Sequence, residues 1–141
     1  MIIKTSNGIE ITQDIIERWN REIKHFSPHE FDSPDDPGSG YLMQLKFVKV
    51  LDTLRELCKF ILHVTSGYRT YKQNLKDKGV KKSSHRRGWG ADLHVDNNHE
   101  RFLVVKFALG LGVNRVVLYK NDNHVHLDMD PDLPGQILEI R

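Results

Sequence analysis

A single cysteine, Cys58, is all that the 141 residues carry. One thiol forms no internal disulfide and supplies no multi-cysteine zinc site. Long apolar runs are also missing: none approaches the roughly 18 residues that suggest a membrane span. The opening Met1-Ile-Ile-Lys-Thr5 has no basic stretch followed by a long apolar core. No signal peptide is therefore expected, and the chain is expected to be made in the cytoplasm. Charge of one sign is scarce as well. Lys and Arg number 21 against 19 Asp and Glu, a net +2, which is too little to imply nucleic acid. Apolar residues make up 38% and charged residues 28%, a balance that excludes disordered and collagen-like classes. The length suits one domain over residues 1–141 and is too short for two well-cored ones.

What is present is uneven. Lys76, Lys78, Lys81, Lys82, Arg86 and Arg87 crowd one stretch, with only Asp77 against them. This reads as a solvated loop, or as a patch attracting anionic polymers or carboxylates. Eight histidines are generous for this length.

The pattern along the chain predicts α+β. A strand or turn lies around Gly8, then a helix capped by Thr12 with Asp14 in its first turn. Ile11, Ile15, Trp19, Ile23 and Phe26 form its apolar stripe. Residues 33–40 hold two prolines and two glycines and read as a loop. A second helix is predicted over 41–58, a strand over 60–65, and a short helix over 71–76. Ala91, Leu93 and Val95 alternate with Asp92 and His94, as in a strand with one face buried. A further helix spans 99–109, ended by Gly110 or Gly112. Strands over 116–119 and 125–129, joined by Asn121-Asp-Asn123, form a hairpin. Ile137–Ile140 reads as an edge strand, and the sheet should be mostly antiparallel. Cys58 ends a helix facing the core and should be an inert buried thiol.

Chemistry converges on three segments: Ser66-Gly-Tyr-Arg69-Thr70, Ser83-Ser84-His85-Arg-Arg-Gly88-Trp-Gly-Ala-Asp92, and His124-Val-His126-Leu-Asp128. Positions two apart on a strand share a face, so His124 and His126 emerge side by side and Asp128 continues the row. That row is either a wet hairpin face or part of a site. Gly88 and Gly90 allow close backbone approach between His85 and Asp92. His85, Asp92 and His126 together offer two imidazoles and a carboxylate, a set that suits tetrahedral zinc with one open position. The alternative pairs Asp92 with Arg86 or Arg87 and leaves His85 exposed. His94 shares the strand face of Asp92 and is a candidate hydrogen-bond partner for the site. Trp89 either lines a groove or packs.

Ser-x-His-x-x-Gly-x-x-x-Asp at 83–92, followed by a late His-x-His, resembles the zinc D-Ala-D-Ala carboxypeptidases and related phage cell-wall peptidases. The hedgehog signalling domain has the same metal arrangement. Ser66-Gly-Tyr-Arg69 matches the family's segment ahead of the zinc histidine, and Glu30-Phe31, Gly40-Tyr41 and Leu51-Asp-x-Leu-Arg-Glu56 resemble what precedes it. The likeness covers roughly residues 26–130. It implies the hedgehog/D-Ala-D-Ala peptidase fold and zinc held by His85, Asp92 and His126. It implies Arg69 near a substrate carboxylate or oxyanion, and Ser83 lining the site. Some relatives place an acidic base three residues before the last zinc histidine, where this chain has Asn123. The His-x-His branch supplies His124 instead as the proton-handling group.

The resemblance thus implies a zinc hydrolase acting on peptidoglycan stem peptides, most closely a carboxypeptidase; a monomer is expected. A phage lysin would reach the wall without a leader. The rival is a zinc-binding module of the hedgehog type without catalysis. Nucleic-acid binding is disfavoured, since only Tyr68 and Tyr71 lie near the basic cluster to stack on bases.

Overall fold

The computed structural model describes residues 3–141. The leader reading therefore rests partly on Met1 and Ile2, which lie outside the described residues. A short antiparallel ribbon, β1 (Ile3–Lys4) and β2 (Glu10–Ile11), leads into α1 (Gln13–Glu22). The Thr12 hydroxyl accepts a hydrogen bond from the Ile15 N–H and caps that helix. Trp19 is the buried residue of α1, and its indole N–H donates to the Phe26 carbonyl at 2.9 Å. Lys24 and His25 donate their N–H groups to the buried carboxylate of Asp52, which ties this segment to α2 (Leu45–Cys58).

The second helix starts later than its periodicity predicts. Ser39–Leu42 form a separate 3-10 turn, and Met43 is extended, so the helix begins at Leu45. Packing explains the break. A Cβ on Gly40 would come 1.8 Å from the Pro28 carbonyl oxygen, and the Gly40 N–H is taken by Asp32 at 2.7 Å. Lys59, at φ 62°, ends α2, and the next strand, β3 (His63–Ser66), starts three residues later than predicted. Then follow α3 (Tyr71–Lys76), β4 (Gly90–His94), α4 (Asn98–Gly110), β5 (Arg115–Leu118), β6 (His124–Asp128) and β7 (Ile137–Ile140).

Five strands make one sheet in the order β3-β4-β6-β5-β7. All pairs are antiparallel except β5 with β7, which is parallel. Ala91, Leu93, Val116, Val125 and Leu127 point from one face into a core shared with Val48, Leu51, Leu54 and Val104 of the helices. Trp89 packs against this core. Burial pushes the Cys58 thiol up to about 11, in keeping with an inert core thiol. The opposite sheet face carries Asp92, His126 and Asp128. No helix among the described residues is long and apolar enough to cross a membrane.

Gly67 sits where a Cβ would lie 2.6 Å from Phe31 Cα and 2.8 Å from its carbonyl oxygen. Both are backbone atoms that cannot turn aside. Gly67→Ala is expected to destabilise the fold by about 1–3 kcal/mol. Chemical denaturation of the variant, compared at equal m-value, measures it.

Candidate metal centre

Sheet register builds the site. Asp92 on β4 lies directly opposite His126 on β6, and Ser66 on β3 lies opposite Asp92 on the other side. His85 arrives from a 3-10 turn, Ser84–Arg87, which is held against the Ser66–Arg69 segment. There the Arg69 N–H donates to the His85 carbonyl at 3.1 Å. Gly88 closes the turn at φ 75°, a conformation that favours glycine.

His85, Asp92 and His126 each offer a ligand atom, and these atoms lie within 4.8 Å of one another. The imidazoles are oriented from behind. His85 Nδ1 donates to the Gly67 carbonyl at 2.7 Å, which leaves its Nε2 lone pair 3.4 Å from Asp92 Oδ1. His126 Nε2 donates to Asp128 Oδ2 at 2.7 Å, and its Nδ1 faces Asp92 Oδ1 at 2.9 Å. Each ring thus spends one nitrogen on a fixed acceptor and turns the other inward, the arrangement metal-binding histidines use. Two imidazoles and a carboxylate suit zinc with a fourth position open. The donor set fits that ion.

Burial alone would raise the Asp92 carboxyl. The hydrogen bond from the His126 ring, with that ring's charge, outweighs it and holds the group well below the ordinary carboxylate range. Burial lowers the His85 imidazole below its ordinary value, which keeps a lone pair free. Burial acts downward on His126 too, but hydrogen bonds to Asp128 and Asp92 raise it on balance. His126, Asp92 and His85 would hold a metal here through their inward atoms, and binding through His126 Nδ1 would compete with a proton at that nitrogen.

Other residues fall into place around this group. Arg69 is only 13% exposed along its side chain. Its Nε donates to Ser66 Oγ at 3.0 Å and lies 3.3 Å from Asp77, Nη1 reaches Asn74 at 3.4 Å, and Nη2 reaches Asp92 Oδ2 at 3.3 Å. Nη1 and Nη2 each make one of these hydrogen bonds, and the guanidinium borders both cavities described below. Ser83 Oγ accepts from the His85 N–H at 3.3 Å, so it caps the turn while lining the cavity. His124 stacks against Tyr119, with centroids 4.1 Å apart, and its Nδ1 lies 3.1 Å from Asp122. A cavity of about 360 Å³ and a second of about 300 Å³ meet here, both lined by Arg69, Asp77, Asp92 and His124.

Several sequence readings are corrected. Asp92 does not pair with Arg86 or Arg87. Arg87 Nε binds Asp130 at 2.9 Å, and Arg86 donates to the Arg69 carbonyl at 3.0 Å. His94 does not support Asp92, since its Nε2 is bonded to Asp96 at 2.8 Å. The supporting groups are instead Asp128, Ser84 and the Gly67 carbonyl. Ser84 Oγ donates to Asp128 Oδ2 at 3.3 Å, and Arg115 Nε meets the same oxygen at 3.2 Å. The position of Asp128, two after His126 on the same strand face, was the available signal. Ser84 had none beyond its neighbours.

A family model described as peptidase M15 matches residues 14–128. The chain belongs to the peptidase M15 family. M15 peptidases are zinc metallopeptidases, so this member is a zinc-dependent peptidase with the α+β fold of that family. A comparison with curated proteins returned no match.

In this M15 member Asp128 is fully buried and holds the outer nitrogen of His126. Asp128→Asn should weaken zinc binding by about 10–100-fold, measured by competition with a chromophoric chelator. Far-UV circular dichroism should be unchanged.

Proposed function

We propose that this M15 peptidase is a single domain that cleaves peptide bonds in peptidoglycan stem peptides as a D-Ala-D-Ala carboxypeptidase-like hydrolase. We further propose that His85, Asp92 and His126 hold its zinc. The observation that carries the reading is the pair of inward-turned imidazole nitrogens converging on Asp92 Oδ1, at the junction of two cavities. A bound zinc supplies a Lewis acid there and lowers the pKa of a coordinated water to about 7.

The chain's own residues do the rest. The Gly67 carbonyl and Asp128 lock the two rings, so the donor atoms need no reorganisation. Arg69 ties down Asp92 Oδ2 and keeps Oδ1 turned inward. Its remaining Nη hydrogens donate to the substrate, either to a terminal carboxylate or to the oxyanion that develops on the scissile carbonyl. Ser83 borders the same cavity and contacts the peptide. His124, on the same strand face as His126, takes a proton from water and hands it to the leaving amine. Asp122 steadies the imidazolium formed in that step. The phage-lysin origin and action at the cell wall belong to this proposal, as does a monomeric state.

His85→Ala and His126→Ala are each expected to lose stoichiometric zinc by metal analysis. His124→Ala should keep zinc and lose about 10²–10⁴-fold in rate on purified muropeptides. Mass spectrometry of the digest identifies the bond cut: loss of a terminal alanine supports the carboxypeptidase reading, and a split between the second and first stem residues replaces it with an endopeptidase. A zinc-loaded protein that releases no new amine would favour the hedgehog-type binding module.

Arg69→Lys separates transition-state stabilisation from bracing. Lysine keeps the charge but lacks the guanidinium fork. Both kcat and kcat/KM should fall together, with zinc retained. A KM increase alone would confine Arg69 to binding substrate. An earlier melt with normal kinetics in the folded fraction would leave it a bracing role.

A further inference from the structure

Sheet register sets three histidines side by side. His63 on β3 lies opposite His94 on β4, and His94 lies opposite His124 on β6. Directly opposed residues on antiparallel strands point to one face with Cβ atoms about 4.5–5.5 Å apart. The row therefore presents three neighbouring imidazoles on the face that also carries Asp92 and His126. Two residues along a strand span about 7 Å, so this row borders the first metal group without sharing its ligands.

All three rings can be reached from water. His63 is exposed, and the His94 and His124 side chains keep 40% and 20% of their exposure. Two already have one ring nitrogen engaged by a carboxylate. His94 Nε2 is hydrogen-bonded to Asp96 at 2.8 Å, which leaves its Nδ1 free. His124 Nδ1 is held by Asp122 at 3.1 Å, which leaves its Nε2 free.

We propose that His94 and His124, with His63 as a third imidazole within reach, form a second site for a borderline transition-metal ion such as Zn²⁺, and that filling it inhibits the peptidase. Imidazole ligands select zinc, copper or nickel over magnesium or calcium. Among the described residues only His85, Asp92 and His126 already hold ligand atoms within 4.8 Å of one another. The histidine row must turn its side chains toward the ion, so it binds more weakly than the buried centre. Inhibition follows because the ion occupies the His124 nitrogen that handles the proton. That consequence rests on the function proposed above, whereas the binding site does not.

Zinc binding to metal-free protein, followed by equilibrium dialysis, tests the site. The wild type should bind two equivalents, the second at least tenfold weaker than the first. His94→Ala should bind one, and its retained tight equivalent shows that it has folded. His85→Ala should keep the weak equivalent, with its fold checked by circular dichroism. One equivalent in the wild type, or two in His94→Ala, overturns the site. In muropeptide assays, zinc beyond the first equivalent should slow the wild type and leave His94→Ala unaffected. A second equivalent that binds without slowing the reaction overturns the inhibitory role. Two equivalents on a protein that cleaves no stem peptide leaves the site standing and overturns the hydrolase reading.

Discussion

Asp92 is a buried carboxylate that stays ionised because two imidazoles and a guanidinium surround it. Burying an uncompensated charge is costly, so each partner must be in place before the site can be charged. Much of the local architecture answers to that need. The β4–β6 register brings His126 opposite, and the 3-10 turn delivers His85. The bulge between Val64 and Ser66 shifts β3 so that Ser66, the partner of Arg69 Nε, comes opposite Asp92.

The same charge organises a wider shell. Asp128 faces His126 from the far side and is itself met by Arg115 and Ser84. Asp128 Oδ1 remains buried without a hydrogen-bond partner, a cost to stability borne beside the metal group. Gly90 leaves room for this shell: a Cβ there would come 2.2 Å from Ser84 Oγ.

Arg69 is braced on all sides: its contacts to Ser66, Asn74, Asp77 and Asp92 fix the guanidinium, the rigidity that the oxyanion role proposed for it requires. Two cavities meet at Arg69 and His124, both lined also by Asp77 and Asp92. The basic loop at 76–82 borders one of them through Lys78.

The period of two along a strand was enough to put Asp92 apart from Ala91 and Leu93, and His126 with Asp128. A different local rule, the helical recurrence of apolar residues, located α1 and α2, because their stripes follow chain-local geometry, although it put the start of α2 four residues early. Motif spacing brought His85, Asp92 and His126 together as candidates before any contact was known. It did not reveal which nitrogen of each ring turns inward, since that depends on the Gly67 carbonyl, 18 residues from His85, and on the rotamer of Asp128. Nor did it reveal that Arg86 and Arg87 are occupied elsewhere, that β7 runs parallel to β5, or that His63, His94 and His124 fall in one row. Strand neighbours and register are set by packing the whole sheet against its helices, and no local period contains that information.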